Sequence, residues 1–381
     1  MSKDIKFNFL NSDEQERYQK HLTLKEIGYD GQLSLKNSSV LCIGAGGLGS
    51  SVLLYLAAAG IGKIGILDND HVEKSNLQRQ IIHETNTIGN LKIDSARERI
   101  KKFNPNSELL TYAERINPKN ALEIIRKFDV ICDCSDNFGT RYLINDACLL
   151  LKKPLVFGSV QGFEGQVSVF NLHKTSPNLR DLLPESPSKN AVPSCAQYGV
   201  VGVSTGLIGI LQVNEIIKII LKKGQILDGK LLVFDLLNMN MKKLNLKSDQ
   251  VNKQIKNLSQ FEDFYSVDEC SDENNTVNTI NARDFNNLYK EKPNKILLID
   301  VRENEEFSAS SIEGSISIPL SLLDQKSDLE FIQKESLIRE VFTICKSGKR
   351  SEKASKILSK FKIKSRSIEG GIEKVKEILC N

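Results

Sequence analysis

Three stretches of this 381-residue chain hold residue types that do chemistry. The first is a turn, Gly44-Ala45-Gly46-Gly47-Leu48-Gly49, entered from an apolar run at 40–43 and left through a helical run at 50–59. Glycines between a strand and a helix let backbone N–H groups approach phosphate oxygens at the helix N-terminus. A second apolar run, 63–67, ends in Asp68-Asn69-Asp70, and Asp68 suits ribose hydroxyls. The polar run Ser75-Asn76-Leu77-Gln78-Arg79-Gln80 follows, and Lys92 opens the next helix. A dinucleotide has no evident use for Arg79. A triphosphate, with charge developing on phosphorus, does.

The second stretch, Asp133-Cys134-Ser135-Asp136-Asn137, closes a strand at 129–133. Ligands of open parallel sheets bind at the carboxyl ends of strands, which places Asp136 to hold magnesium against phosphate oxygens. The same residues also read as a helix N-cap. The third stretch is Cys345-Lys346-Ser347-Gly348-Lys349-Arg350-Ser351. A cysteine leaving a buried strand into a tight loop sits in a nest of backbone N–H groups, which stabilises a thiolate or persulfide. Lys346, Lys349 and Arg350 are expected to surround the sulfur with positive charge. The loop is one residue shorter than a phosphatase loop, which favours sulfur over phosphate. Cys195, in Pro193-Ser194-Cys195-Ala196, has two readings: a nucleophile near a helix N-terminus, or a small buried hydrophobe.

The elements that must position these residues follow from periodicity. Strands are expected at 40–43, 63–67, 108–113, 129–133 and 155–158, with helices at 50–59, 92–103, 118–128 and 140–152 between them. Such alternation predicts an α/β fold, a Rossmann-like, doubly wound and mainly parallel sheet. Later strands are expected at 166–171 and 230–235. Residues 1–36 are polar and mostly helical in pattern, and 174–194 is a long loop rich in Pro, Ser and Asn. The polar, aperiodic segment 246–276 reads as a linker between a domain at 1–245 and a second, smaller α/β domain at 277–381. In the latter, strands are expected at 295–301 and 341–345 and a helix at 351–361.

Composition narrows the class. Forty per cent hydrophobic and 26% charged residues describe a soluble globular protein. A net charge of +4 does not call for nucleic acid. The apolar run 200–221 is interrupted by Gln212, Asn214, Glu215 and Lys218, so a buried helix is expected rather than a membrane span. Eight scattered cysteines, with no signal-peptide core at the N-terminus, fit a cytoplasmic protein.

These motifs together carry a resemblance. Residues 14–245 resemble the MoeB/ThiF-type adenylyltransferases, relatives of ubiquitin-activating enzymes. The resemblance rests on 29–32, 43–50, 67–70, 75–80, 132–137, 163–166 and 194–199. Residues 277–381 resemble a rhodanese through 299–303, 312–315, 318–320 and the Cys345 loop. Fused, they resemble the adenylyltransferase–sulfurtransferases of molybdopterin and thiouridine pathways; a thiamine pathway uses a similar carrier. The resemblance implies ATP and Mg2+ as cofactors. It implies that Gly44, Gly46, Gly47, Gly49, Asp68, Asp70, Ser75, Asn76, Leu77, Gln78, Arg79, Lys92, Asp136 and Asn137 bind the nucleotide, with Asp136 on the metal. It implies catalytic roles for Arg79, Cys195 and Cys345. The implied partners are a small β-grasp carrier with a C-terminal Gly-Gly, a persulfide sulfur donor and a second copy of the chain; no nucleic acid or membrane is implied.

Departures from the family pattern bear on this. Many relatives carry two Cys-x-x-Cys pairs that bind a structural zinc. Here the equivalent stretches, near 176–181 and 247–256, hold no cysteine, so no structural zinc is expected. Lys20 stands where relatives place an arginine that crosses a dimer interface, which keeps the charge and loses bidentate geometry. The alternative functions are an NAD-dependent oxidoreductase, or a non-catalytic scaffold that binds a ubiquitin-like tail.

Overall fold

In the computed structural model the chain divides into two compact units, Met1–Cys270 and Ser271–Asn381. The structure describes residues 7–184, 199–261, 265, 278–323 and 325–379. Among the described residues the first unit has eight strands: β1 Ser39–Ile43, β2 Lys63–Leu67, β3 Glu108–Tyr112, β4 Val130–Asp133, β5 Leu155–Gln161, β6 Glu164–Phe170, β7 Lys230–Asp235 and β8 Asn240–Asn245. Their order is β3-β2-β1-β4-β5-β6-β7-β8. The first five run parallel, and β6, β7 and β8 add on antiparallel.

β1 shows why this chain makes a two-faced sheet. All five of its residues are buried. Val40 and Cys42 enter one apolar layer, Leu41 and Ile43 the other. A parallel strand covered on both faces must be apolar along its length. Helices Gly47–Ala59, Lys92–Phe103 and Gly202–Leu221 fill the first layer. Helices Ala121–Arg126 and Phe138–Leu151 fill the second. Gly202–Leu221 has the length and apolarity of a membrane span, but it packs closely on Gly47–Ala59. A Cβ added at Gly209 would lie 2.1 Å from Ser51 Oγ.

Two expectations about this unit need correction. β8 went unforeseen because every one of its residues is exposed, so it shows no inside–outside alternation. The segment read as a linker from 246 is, in its described part, folded onto the first unit. It forms short helical turns at Val251–Lys253 and Leu258–Phe261, and Leu258 and Tyr265 are buried in the second apolar layer. A few apolar anchors in a polar stretch were enough to dock it.

Where relatives are expected to use zinc, hydrogen bonds join the two segments. Asp181 Oδ1 accepts from Asp249 N at 2.8 Å and from Asn252 Nδ2 at 2.9 Å, and Lys253 Nζ donates to Lys174 O at 2.8 Å. Beneath them Arg180 donates to both carboxylate oxygens of the fully buried Asp146, at 3.0 and 2.6 Å.

Among its described residues the second unit holds five parallel strands, β9 Thr279–Ile280, β10 Ile296–Asp300, β11 Ile316–Ser317, β12 Glu340–Ile344 and β13 Ser365–Ile368, in the order β11-β10-β12-β13-β9. β10 and β12 are the two strands read from sequence. β9, β11 and β13 have two to four residues each, too few to show a period. Helices Ala282–Glu291 and Gly371–Leu379 cover one face, and Lys349–Lys360 packs on the other.

Candidate active sites

β2 and β4 flank β1, and the chain order reverses between them. Ligands bind at such a switch point, beyond the carboxyl ends of the strands. A cavity of about 380 Å³ opens there, lined by Gly44, Gly46, Gly47, Asp68, Asp70, Arg79, Lys92, Asp136 and Asn137.

The glycine turn has a steric cause. Gly44 has φ +102°, and a Cβ on it would fall 2.6 Å from Cys134 O. The β1 and β4 ends are therefore in backbone contact under the cavity. Gly49 does not line the cavity. Its missing Cβ would sit 2.0 Å from Gly44 O, so it lets the helix Gly47–Ala59 close on its own entry loop.

Asp68 braces that turn. Its Oδ2 accepts from Ala45 N and its Oδ1 from Asp70 N, both at 2.8 Å. Burial raises its pKa, and the charge of Lys92 opposes the rise. Lys92 is 6% exposed, with Nζ 2.9 Å from Asp70 Oδ2. His83, which the sequence reading missed, bridges the turn to the helix Lys92–Phe103. Its Nε2 lies 3.0 Å from Ala45 O and its Nδ1 3.0 Å from Ser95 Oγ. Burial lowers its pKa, with Lys92 adding to the effect, so the ring is neutral and Nε2–H donates to the carbonyl.

Arg79 is carried on the turn that begins with the short helical segment Lys74–Asn76, and its Nη1 donates to Ser75 O at 3.2 Å. Ser75, Asn76, Leu77 and Gln78 lie outside the cavity lining. They shape the turn that holds Arg79, and Gln78 Nε2 donates to Val200 O at 3.3 Å. Gln80 does line the cavity, is 4% exposed, and its Oε1 has no hydrogen-bond partner.

The β4 end both caps a helix and lines the cavity. Asn137 Oδ1 accepts from Thr140 N at 2.8 Å, which caps the helix Phe138–Leu151. Asp136 beside it is exposed at the cavity rim. Ser135 donates from N and Oγ to Oδ1 of the fully buried Asp133, at 2.9 and 2.6 Å. Arg141, one helical turn beyond the cap, lines the cavity. It holds the loop through Nη2 to Ser135 O at 3.0 Å, and its Nε is unpartnered. Arg115 also lines the cavity. A single sequence offers no signal for either arginine beyond charge. Cys134 lines the cavity too, with its Sγ 3.6 Å from Cys42 Sγ. Burial pushes its thiol well above the usual range, so it is a poor nucleophile.

In the second unit Cys345 follows β12 and is 1% exposed. Gly348, at φ +98°, donates its N–H to Cys345 Sγ at 3.2 Å and caps the helix Lys349–Lys360. Of the nest expected around the sulfur, this one N–H is seen to point at it. Two of the three cations expected around it have carboxylate partners. Arg350 donates to both carboxylate oxygens of Glu306, at 2.6 and 2.8 Å, and Lys346 Nζ lies 3.7 Å from Glu373. Cys195 lies outside the described residues.

Comparison with known proteins then decides the family. The ThiF family model matches residues 18–255. The chain belongs to the ThiF family. A rhodanese-like domain model matches residues 281–378. Among similar ThiF-family proteins is "Probable adenylyltransferase/sulfurtransferase MoeZ" of Mycobacterium tuberculosis, 40% identical, with the match covering 91% of this chain and 88% of that protein. "Adenylyltransferase and sulfurtransferase MOCS3" of Culex quinquefasciatus is 39% identical over 92% of this chain and 83% of that protein. "Probable molybdopterin-synthase adenylyltransferase" of Porphyra purpurea is 38% identical over 97% and 94%. The fold is also that of E. coli MccB, solved with ATP, at 22% identity and a TM-score of 0.53 over 63% of this chain and 74% of that one.

This ThiF-family chain is an adenylyltransferase fused to a sulfurtransferase domain, and its relatives at this identity are adenylyltransferase/sulfurtransferases. The oxidoreductase and scaffold alternatives give way to that assignment. Among the described residues no group of three or more His, Cys, Asp or Glu is arranged to hold a metal.

Proposed function

We propose that this enzyme activates the C-terminal glycine of a small β-grasp, ubiquitin-like sulfur carrier and converts it to a thiocarboxylate. ATP is the first substrate. The carrier carboxylate attacks the α-phosphorus, pyrophosphate leaves, and an acyl-adenylate forms. The glycine-turn amides, Lys92 and Arg79 would hold the phosphates, and Asp68 the ribose. Glycine 44 has no room for a side chain, and the unpartnered Gln80 Oε1 and Arg141 Nε among the lining residues fit a polar ligand. Mg2+ would be held by Asp136, the exposed carboxylate on the same rim; when bound, it would draw charge from the phosphate oxygens. The outer sulfur of a Cys345 persulfide then attacks the acyl carbon, directly on the adenylate or on a thioester at Cys195, so that AMP or the Cys195 thiolate leaves and an acyl disulfide forms. A thiol, that of Cys195 or of an external thiol reductant, then attacks the Cys345 sulfur, breaking the S–S bond to release the thiocarboxylate and leaving a disulfide at Cys345.

One observation carries this reading: a single chain holds a cationic cavity at a glycine turn and a separate sulfur nest at Cys345. We read the protein as a cytoplasmic homodimer with Lys20, exposed on Gln19–Leu22, at the interface. A fully active monomer by light scattering would overturn the dimer. We read it as needing no zinc at 176–181 and 247–256, which elemental analysis tests. The deciding experiment is mass spectrometry of candidate carriers incubated with enzyme, ATP, Mg2+ and a persulfide donor. Thiocarboxylate on one carrier is expected. No sulfur gain on any Gly-Gly carrier, with no ATP–pyrophosphate exchange, would reject the reading.

A further inference from the structure

We propose that Glu306 is a specificity-determining residue of the sulfur site: by occupying the Arg350 guanidinium, it disfavours sulfonate-type donors such as thiosulfate and leaves thiol persulfides as the donors that load Cys345. The proposal rests on the reading of Cys345 as the sulfur acceptor.

Arg350 is the guanidinium of the Cys345 loop, in the first turn of Lys349–Lys360. A guanidinium fork matches an oxyanion with two oxygens, such as the sulfonate end of thiosulfate. Here the fork is already used. Nη1 and Nη2 each donate to a different oxygen of Glu306, and Glu306 Oε2 also accepts from Glu303 N at 3.3 Å. The nearby Arg302 is committed as well. It bonds Asp300 at 2.6 Å and Ser310 O at 2.6 Å. Lys346 has Glu373 at 3.7 Å. At Arg350 an incoming dianion would therefore meet a guanidinium fork already paired with a carboxylate.

The two loading reactions differ in what they leave at Arg350. From thiosulfate, the Cys345 thiolate attacks the outer sulfur. A new S–S bond forms, the S–S bond of thiosulfate breaks, and sulfite leaves with the electron pair. From a thiol persulfide, the same thiolate takes the terminal sulfur, and the donor thiol leaves with its proton. Only the first places a sulfonate beside Glu306.

The test compares full-length wild type, Glu306→Gln, Glu306→Asp, the exposed-neighbour control Glu305→Gln, and Glu306→Gln combined with Arg350→Gln. Two readouts are taken: Cys345 loading from cysteine persulfide by mass spectrometry, and steady-state transfer from thiosulfate to cyanide. Glu306→Gln should lower the KM for thiosulfate about tenfold, the size of one freed charge-assisted hydrogen bond. Persulfide loading should stay as in wild type. Glu306→Asp should fall between, Glu305→Gln should change nothing, and the double variant should lose the gain. An unchanged thiosulfate KM in Glu306→Gln, a gain that survives removal of Arg350, or persulfide loading lost in Glu306→Gln would each overturn the proposal. Wild type that takes no sulfur from cysteine persulfide at Cys345 would instead overturn the underlying reading of that cysteine.

Discussion

Lys92 is held twice by Asp70: its Nζ lies 2.9 Å from the carboxylate Oδ2, and its backbone N–H donates to Asp70 O at 2.9 Å. The side-chain half of this arrangement competes with any phosphate for the cation, while the backbone half fixes where the helix begins. Lys92→Ala should cut carrier-dependent ATP–pyrophosphate exchange by about 100-fold, the usual cost of one preorganised charge. Asp70→Asn keeps the backbone bond and should retain most of the activity. Equal losses in the two variants would show that Lys92 does not work on the phosphates independently of Asp70.

Arg79 and Asp136 face the same cavity from opposite strands' loops, with no ion pair between them to stabilise the fold. Each changed to Ala should therefore lose exchange by about 100-fold or more while the thermal unfolding midpoint stays near wild type. Near-normal exchange in either would remove that residue from the adenylation site.

His83 makes stability depend on pH in a defined direction. Its pKa is lowered on folding, chiefly by burial, from the usual 6.5. The unfolded chain thus binds a proton that the folded chain refuses. The contribution is fully present above pH 6.5 and is lost as pH falls below it toward the folded value. Urea unfolding should show this loss in wild type, and His83→Gln should flatten it. An identical slope in the variant would assign the effect to other groups.

The two candidate cysteines should separate by assay. Cys345→Ala should abolish sulfur loading and leave pyrophosphate exchange intact, because the sulfur nest lies in the second unit and the cavity in the first. Cys195→Ala should keep loading on Cys345 and slow only transfer to the carrier. Loss of exchange in Cys345→Ala as severe as in Arg79→Ala would end this division of labour.

Much of the candidate site lining could be read from consecutive residues. An apolar run, a glycine turn and an acidic strand end are local features, and backbone sterics decide them within a few positions. Gly44, Asp68, Asn137 and the Cys345 nest belong to this class. Asn137 is legible as a cap because a cap is a short-range hydrogen bond.

The residues that remained hidden act through partners far along the chain. His83 braces Ala45, and Arg141 bonds Ser159 across the β5 strand. Arg350 finds Glu306, 44 residues away, which pairs one of the cations expected around the sulfur. Tyr265 reaches Asp146, 119 residues away, and so docks a segment that composition marks as a linker. Periodicity along a chain records which face of an element is apolar. It carries no information on which charge meets which once strand order and helix packing bring distant residues together, and at both sites it is that meeting which sets how much charge is left for the substrate.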